Sequence, residues 1–124
     1  MIVLIVDDSA AVRERLKELV SGVAAVEVCG QAADARQALA AIRELAPQVV
    51  ILDLHMPGGN GLEVLEGVRR DPARPEFIVL TNYATPQYKQ RCREAGARYF
   101  FDKSHDFEKV PEALADLAAA VATQ

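Results

Sequence analysis

The chain has 124 residues, 51% of them hydrophobic and 26% charged, which is one domain's worth of a folded globule and not the make-up of a disordered chain. Fourteen basic against eighteen acidic residues leave a net charge of -4, so nothing supplies a basic face for nonspecific nucleic-acid binding. No apolar run reaches the roughly 18 residues of a membrane span, and the opening MIVLIVDD lacks the basic region and cleavage site of a signal peptide.

In chain order, IVLIV at 2–6 is an uninterrupted β-branched run and predicts a first strand. Val12, Leu16, Leu19 and Val20 recur on one helical face. VEVC at 26–29 alternates, as an edge or half-covered strand does. Ala35, Ala38, Leu39, Ile42 and Leu45 form the next amphipathic stretch, with Asp34 and Gln37 spaced as a capping box. VVIL at 49–52 predicts the third strand. The stretch 56–61, rich in glycine, is the nearest thing to a flexible loop, and Asn60 with Glu63 offers a second box before Leu62, Leu65 and Val68.

The stretch 71–75 reads as a turn at the opposite edge, and FIVL at 77–80 as the fourth strand. Thr85-Pro86 is a cap followed by proline at the first helical position, ahead of Tyr88, Cys92 and Ala95, and Gly96 stops that helix. RYFF at 98–101 predicts the fifth strand. Phe107, Val110, Leu114, Leu117 and Val121 mark a last helix. With Asp106 as its cap, Pro111 would cost a hydrogen bond, so a late start or a kink near 108–111 is expected.

Five strands and five helices in strict alternation predict a doubly wound parallel sheet with helices on both faces. Of the two doubly wound orders, 2-1-3-4-5, the flavodoxin-like three-layer sandwich, suits a domain this small, and 1–124 reads as one unit. Cys29 and Cys92 read as two buried free thiols of a reducing cytosol.

Chemistry in such folds gathers at the carboxyl ends of the strands. Strand one ends in Asp7-Asp8, strand three in Asp53, strand four in Thr81-Asn82 and strand five in Asp102-Lys103. One Asp after a strand is commonly a turn or a cap. Three on adjacent central strands are different, because two carboxylates about 5 Å apart repel by roughly 3 kcal/mol at an effective dielectric near 20. Lys103 supplies one compensating charge, and a divalent oxygen-loving ion, Mg²⁺ by default, would supply the rest. No glycine-rich phosphate loop follows strand one, and no Ser-His-acid or Cys-His set is evident. A carboxylate beside such an ion, an ammonium and a hydroxyl can attack phosphorus, giving an acyl phosphate on Asp53.

The pieces IVDDS at 5–9, DLHMPGGNG at 53–61, VLT at 79–81 and GARYFFDKS at 96–104 resemble, together and in order, the receiver domain of two-component response regulators, the CheY-like superfamily, over the whole chain. The resemblance implies Asp53 as phosphoacceptor, Asp8 and Asp53 as direct Mg²⁺ ligands, Asp7 as an outer ligand through water, and the His55 carbonyl as the remaining protein ligand. It implies Thr81 and Lys103 holding the phosphoryl group, Thr81 and Phe100 as switch residues, and a sensor histidine kinase or phosphotransfer protein as donor. It places the chain in the bacterial cytoplasm, with no metabolic enzyme activity beyond its own phosphorylation and slow dephosphorylation. The output surface would be the fourth helix, fifth strand and fifth helix. That face would serve an output protein, a missing C-terminal effector domain or a homodimer, and exposure of Tyr88, Tyr99 or Phe107 would favour the dimer.

Three departures from the family pattern stand out. Asn82 replaces a small residue, bulky Tyr83 and His55 flank the approach of hydrolytic water, and Ser104 replaces a proline, leaving the Lys103–Ser104 peptide cis or trans. A receiver-like module working without phosphorylation is the alternative, which the intact acid, lysine and threonine set argues against. A metabolite phosphatase would want a second acid where His55 stands and a capping domain. A flavodoxin-like carrier would want a phosphate-binding first loop and a tryptophan, and the chain has no Trp.

Overall fold

The computed structural model describes residues 1–57 and 59–122. Ile2–Val6 (β1), Glu27–Ala32 (β2), Val49–Leu52 (β3), Glu76–Thr81 (β4) and Tyr99–Asp102 (β5) form a parallel sheet in the order β2-β1-β3-β4-β5. Helices Ala10–Ser21 (α1) and Val110–Ala122 (α5) cover one face. Ala35–Leu45 (α2), Gly61–Val68 (α3) and Pro86–Glu94 (α4) cover the other. The expected fold, including the 2-1-3-4-5 order, is the one observed.

The central strands are apolar on both faces because both faces are covered. Leu4, Val6, Val50, Leu52 and Val79 pack under α2, α3 and α4, while Val3, Ile5, Val49, Ile51 and Ile78 pack under α1 and α5. On β5, Phe100 joins the first cluster, and Tyr99 with Phe101 joins the second, their rings 5.6 Å apart. Successive residues of β5 therefore face opposite sides of the sheet. Phe107 is buried beneath the Arg15 guanidinium, 3.9 Å from its ring, and Tyr88 and Tyr99 are half-buried. None of the three supplies the exposed aromatic that would favour a dimer.

Several local expectations are corrected. Strand β2 runs on to Ala32, past Gly30 and Gln31. Its register slips at Cys29, since Val28 pairs with Val3 and Gly30 with Leu4. Cys29 is half-buried, whereas Cys92 is fully buried and its thiol is pushed up to about 11 by burial. Asp34 caps α2 by accepting the Gln37 N–H, but the Gln37 side chain accepts from Ala33, one residue earlier than a capping box requires. The second box, Asn60 with Glu63, is complete.

Helix α5 does start late. Residues Phe107–Lys109 form a single 3₁₀ turn, and Pro111 becomes the second α-helical residue, where a missing N–H breaks no bond. Asp106 does not cap it, because its side chain bonds elsewhere. Val121, expected on the buried face, is 44% exposed. Where a flexible loop is expected at 56–61, His55–Met56 pairs with Gly59–Asn60 in a two-residue antiparallel ladder.

Candidate functional site

Strands β1, β3, β4 and β5 end at one rim. Asp7 follows β1 with its N–H on the Ala32 carbonyl, and Asp53 follows β3 with its N–H on the Val6 carbonyl, both at 3.0 Å. The ladders thus continue one residue beyond the strands and hold both aspartates in place. Asp7 and Asp53 are buried, Asp8 is exposed, and all three offer a carboxylate oxygen within 4.8 Å of the others.

Lys103 reaches this rim from β5. Its N–H donates to the Thr81 carbonyl at 2.9 Å, extending the β4–β5 ladder past Asp102. The turn behind it is built from acids: Asp102 Oδ1 accepts the Ser104 N–H at 2.8 Å, and Asp106 Oδ2 accepts the Asp102 N–H at 3.0 Å. The Asp102 backbone bond, together with the Lys109 ammonium at 3.0 Å, holds the Asp106 carboxyl below its ordinary range. The Lys103–Ser104 peptide is trans. So aimed, the Lys103 ammonium lies 2.6 Å from Asp7 Oδ2 and 3.2 Å from Asp53 Oδ2.

One ammonium faces three carboxylates, and the buried pair carries that imbalance. Burial pushes the Asp53 carboxyl up, aided by the Asp7 charge and opposed by Lys103. Burial pulls the Lys103 ammonium down, but hydrogen bonding to Asp7 and the charge of Asp53 more than offset it, so its net shift is upward. A cluster of hard oxygen donors short of positive charge fits a divalent ion such as Mg²⁺.

The other expected residues fall around this centre. The His55 N–H donates to Asp53 Oδ1 at 3.3 Å, while its ring packs edge-on against Tyr83, with centroids 3.7 Å apart, and more loosely against Tyr88 at 5.9 Å. Thr81 is fully buried, and its hydroxyl oxygen accepts the Tyr83 N–H at 3.1 Å, leaving the hydroxyl hydrogen to donate. Among the described residues, Thr81 makes no side-chain bond to Asp53 or Lys103. Phe100 is half-buried one strand away, on the α4 side.

One contributor escapes sequence reasoning. Arg13, on α1, donates from Nη1 to the Asp7 carbonyl at 2.7 Å and from Nε to Gln31 at 3.0 Å, so a second cation braces the acidic loop. The only cue is that helical side chains lean toward the helix N-terminus, here toward the rim.

Gly61 opens α3 against the Asp53 loop, its N–H on the Leu54 carbonyl at 2.8 Å. A Cβ there would collide with the Asp53 carbonyl oxygen and come 2.9 Å from Leu54 Cα. Both obstacles are backbone, so Gly61→Ala is expected to cost about 2 kcal/mol or more and to weaken divalent-ion binding by displacing Asp53. Urea unfolding and a Mg²⁺ titration check this, and wild-type values in both would contradict it.

The description "Response regulator receiver domain" matches residues 3–115. Chemotaxis protein CheY of Thermotoga maritima is 33% identical over 112 residues, covering 90% of this chain and 92% of that protein. A protein-glutamate methylesterase/protein-glutamine glutaminase of Caulobacter vibrioides is 37% identical over 120 residues, covering 96% of this chain but 35% of that protein. The chain thus spans about a third of that relative's length. The isolated REC domain of RcsB from Salmonella enterica serovar Typhimurium, solved with phosphomimetic BeF₃⁻, superposes with a TM-score of 0.86 at 27% identity, covering 94% of this chain and 87% of that one. Strand order, acidic rim and sequence match agree, and the chain belongs to the response regulator receiver domain family.

Proposed function

We propose that this chain is a phosphorelay receiver, accepting a phosphoryl group on Asp53 from a phosphohistidine of a sensor histidine kinase or phosphotransfer protein in the bacterial cytoplasm. The observation that carries the reading is the Lys103 ammonium, 2.6 Å from Asp7 and 3.2 Å from Asp53, beside three carboxylates whose oxygens share one 4.8 Å cluster. Asp8 and Asp53 would hold Mg²⁺ directly, the His55 carbonyl would add a ligand, and Asp7 would act through water. The bound ion supplies charge neutralisation at the phosphoryl oxygens.

The remaining chemistry belongs to the side chains. An Asp53 oxygen attacks phosphorus, the new O–P bond forms as the donor's N–P bond breaks, and the electron pair returns to the imidazole. Lys103 follows the negative charge from the carboxylate to the phosphoryl oxygens, and Thr81 donates its free hydroxyl hydrogen to one of them. Drawing Thr81 toward Asp53 pulls on Tyr83 through their hydrogen bond and opens space toward Phe100. The α4–β5–α5 face then becomes the output surface. The chain's own catalysis extends no further than its phosphorylation and dephosphorylation.

Beryllofluoride tests this reading without a kinase. Fluorine NMR is expected to show a bound resonance only with Mg²⁺ present and Asp53 intact, and a bound signal in Asp53→Ala would refute it.

Asn82 and Tyr83 are exposed, and the Tyr83 ring leans on His55 two residues beyond Asp53. They restrict the path of hydrolytic water, so the Asn82→Ala/Tyr83→Ala double variant is expected to dephosphorylate several-fold faster. An unchanged decay of the phosphoprotein would remove this role.

A further inference from the structure

Every polar group of Asp7 is engaged. Its N–H donates to the Ala32 carbonyl at 3.0 Å, its Oδ1 accepts the Ser9 N–H at 2.9 Å, and its Oδ2 faces the Lys103 ammonium. Its carbonyl accepts from Arg13 Nη1 at 2.7 Å. Asp8 differs: it is exposed, and among the described residues its carboxylate has neither a hydrogen bond nor an ion pair.

The Arg13 contact reaches Asp8 through the backbone. The Asp7 carbonyl and the Asp8 N–H share one rigid peptide plane, so whatever holds that carbonyl sets the direction in which Asp8 leaves the loop. Arg13 is itself held at two points. Its backbone N–H donates to the Ser9 carbonyl at 3.0 Å, which seats it in the first turn of α1, and its Nε donates to Gln31 Oε1 at 3.0 Å, which ties it to the end of β2. One planar guanidinium thus joins the helix, the edge strand and the acidic loop. Its side-chain partners are a carbonyl and an amide, so its charge is not neutralised by direct contact with a carboxylate.

We infer that Arg13, with Gln31 behind it, is a positioning residue for the divalent-ion site. It fixes the Asp7–Asp8 peptide so that the Asp8 carboxylate meets the ion in the geometry Mg²⁺ requires. The inference rests on the ion site of the function proposed above. Two effects of Arg13 have opposite signs. Its positive charge repels an incoming cation, so by charge alone its removal would tighten Mg²⁺ binding. Its hydrogen bonds order the loop, so by positioning its removal weakens Mg²⁺ binding. Groups that orient the ligands of a metal are commonly worth roughly 10- to 100-fold in affinity. Asp8 has no side-chain partner to replace that support, and positioning therefore wins.

The test is calorimetric titration of the full chain with Mg²⁺ and, separately, with Ca²⁺. Mg²⁺ demands near-octahedral ligands, whereas Ca²⁺ accepts irregular ones, so a misdirected Asp8 harms Mg²⁺ binding more. Arg13→Ala is expected to bind Mg²⁺ about tenfold more weakly, and Ca²⁺ no more than about threefold more weakly. Gln31→Leu leaves the charge of Arg13 in place and is expected to weaken Mg²⁺ binding about threefold. Lys17→Ala removes an exposed cation one turn further along α1 and is expected to match the wild type. Unchanged or tighter Mg²⁺ binding in Arg13→Ala would overturn the inference, since charge would then be all that Arg13 contributes. An equal loss for both ions would overturn it too, because a loosened fold harms both alike. So would wild-type Mg²⁺ affinity in Gln31→Leu, or a loss in Lys17→Ala as large as that in Arg13→Ala. A wild-type chain that binds no Mg²⁺ would defeat the proposed function and this inference together. Wild-type Mg²⁺ affinity in Arg13→Ala, with beryllofluoride still bound by the wild type, would defeat the inference alone.

Discussion

Lys103→Met is expected to destabilise the metal-free protein by about 3 kcal/mol, the usual cost of removing one partner from a buried charge pair. The Lys103 side chain is 11% exposed and serves Asp7 and Asp53, which are 2% and 6% exposed. Methionine keeps much of the stem's volume, so the loss is electrostatic. With the ammonium gone, the two carboxylates face each other with no cation between them, and Arg13 is committed to the Asp7 carbonyl. Urea unfolding reads the effect as a lower midpoint with an unchanged slope. Added Mg²⁺ should recover more stability in this variant than in the wild type, because a larger charge imbalance is relieved. A wild-type midpoint would mean that the ammonium balances nothing.

Asp53→Asn is expected to act in the opposite direction on stability while abolishing phosphoryl uptake. Burial holds the folded-state carboxyl of Asp53 above its ordinary range, so the folded protein binds its proton more tightly than the unfolded chain does. Stability therefore falls as pH rises from the ordinary carboxylate value, about 3.9, through the higher folded value, and the ionised side chain remains a liability at neutral pH. Asparagine removes that liability and leaves Lys103 its closer partner, Asp7. The variant should unfold at higher urea than the wild type at neutral pH, with the gap closing in acid. It should also lose the stabilisation expected from Mg²⁺ in the wild type. A variant that is less stable at neutral pH, or one that still responds fully to Mg²⁺, would contradict this assignment of the charge balance.

Most of the fold is legible in the sequence because both faces of the sheet are covered. IVLIV, VVIL and FIVL read as strands since each residue along them needs an apolar partner above or below. β2 is legible only in its first half: it lies at the sheet edge, where half-buried Gly30 and exposed Gln31 continue the ladder without an apolar signal. Caps follow local rules and are read well where the acceptor is a near neighbour, as at Asn60 and Thr85. Asp106 misleads because its carboxylate has a better donor in the Asp102 N–H, made available by the turn after β5.

At the site, the convergence of Asp7, Asp8, Asp53 and Lys103 is readable from strand ends alone, since a parallel sheet brings every carboxyl end to one rim. The roles assigned to His55, Thr81 and Phe100 come from the resemblance to receiver domains. What neither route reveals is set by side-chain direction in three dimensions: Arg13 on the Asp7 carbonyl, and the His55 ring seated against Tyr83. Neither contact has a sequence spacing that marks it.

The central claim is that Asp53 is the nucleophile toward phosphorus. Intact mass after incubation with acetyl phosphate and Mg²⁺ tests it most directly. The account predicts one phosphoryl adduct on the wild-type chain, none without Mg²⁺ and none in Asp53→Ala. An adduct that persists in Asp53→Ala, or a wild-type chain that takes up none, would contradict it.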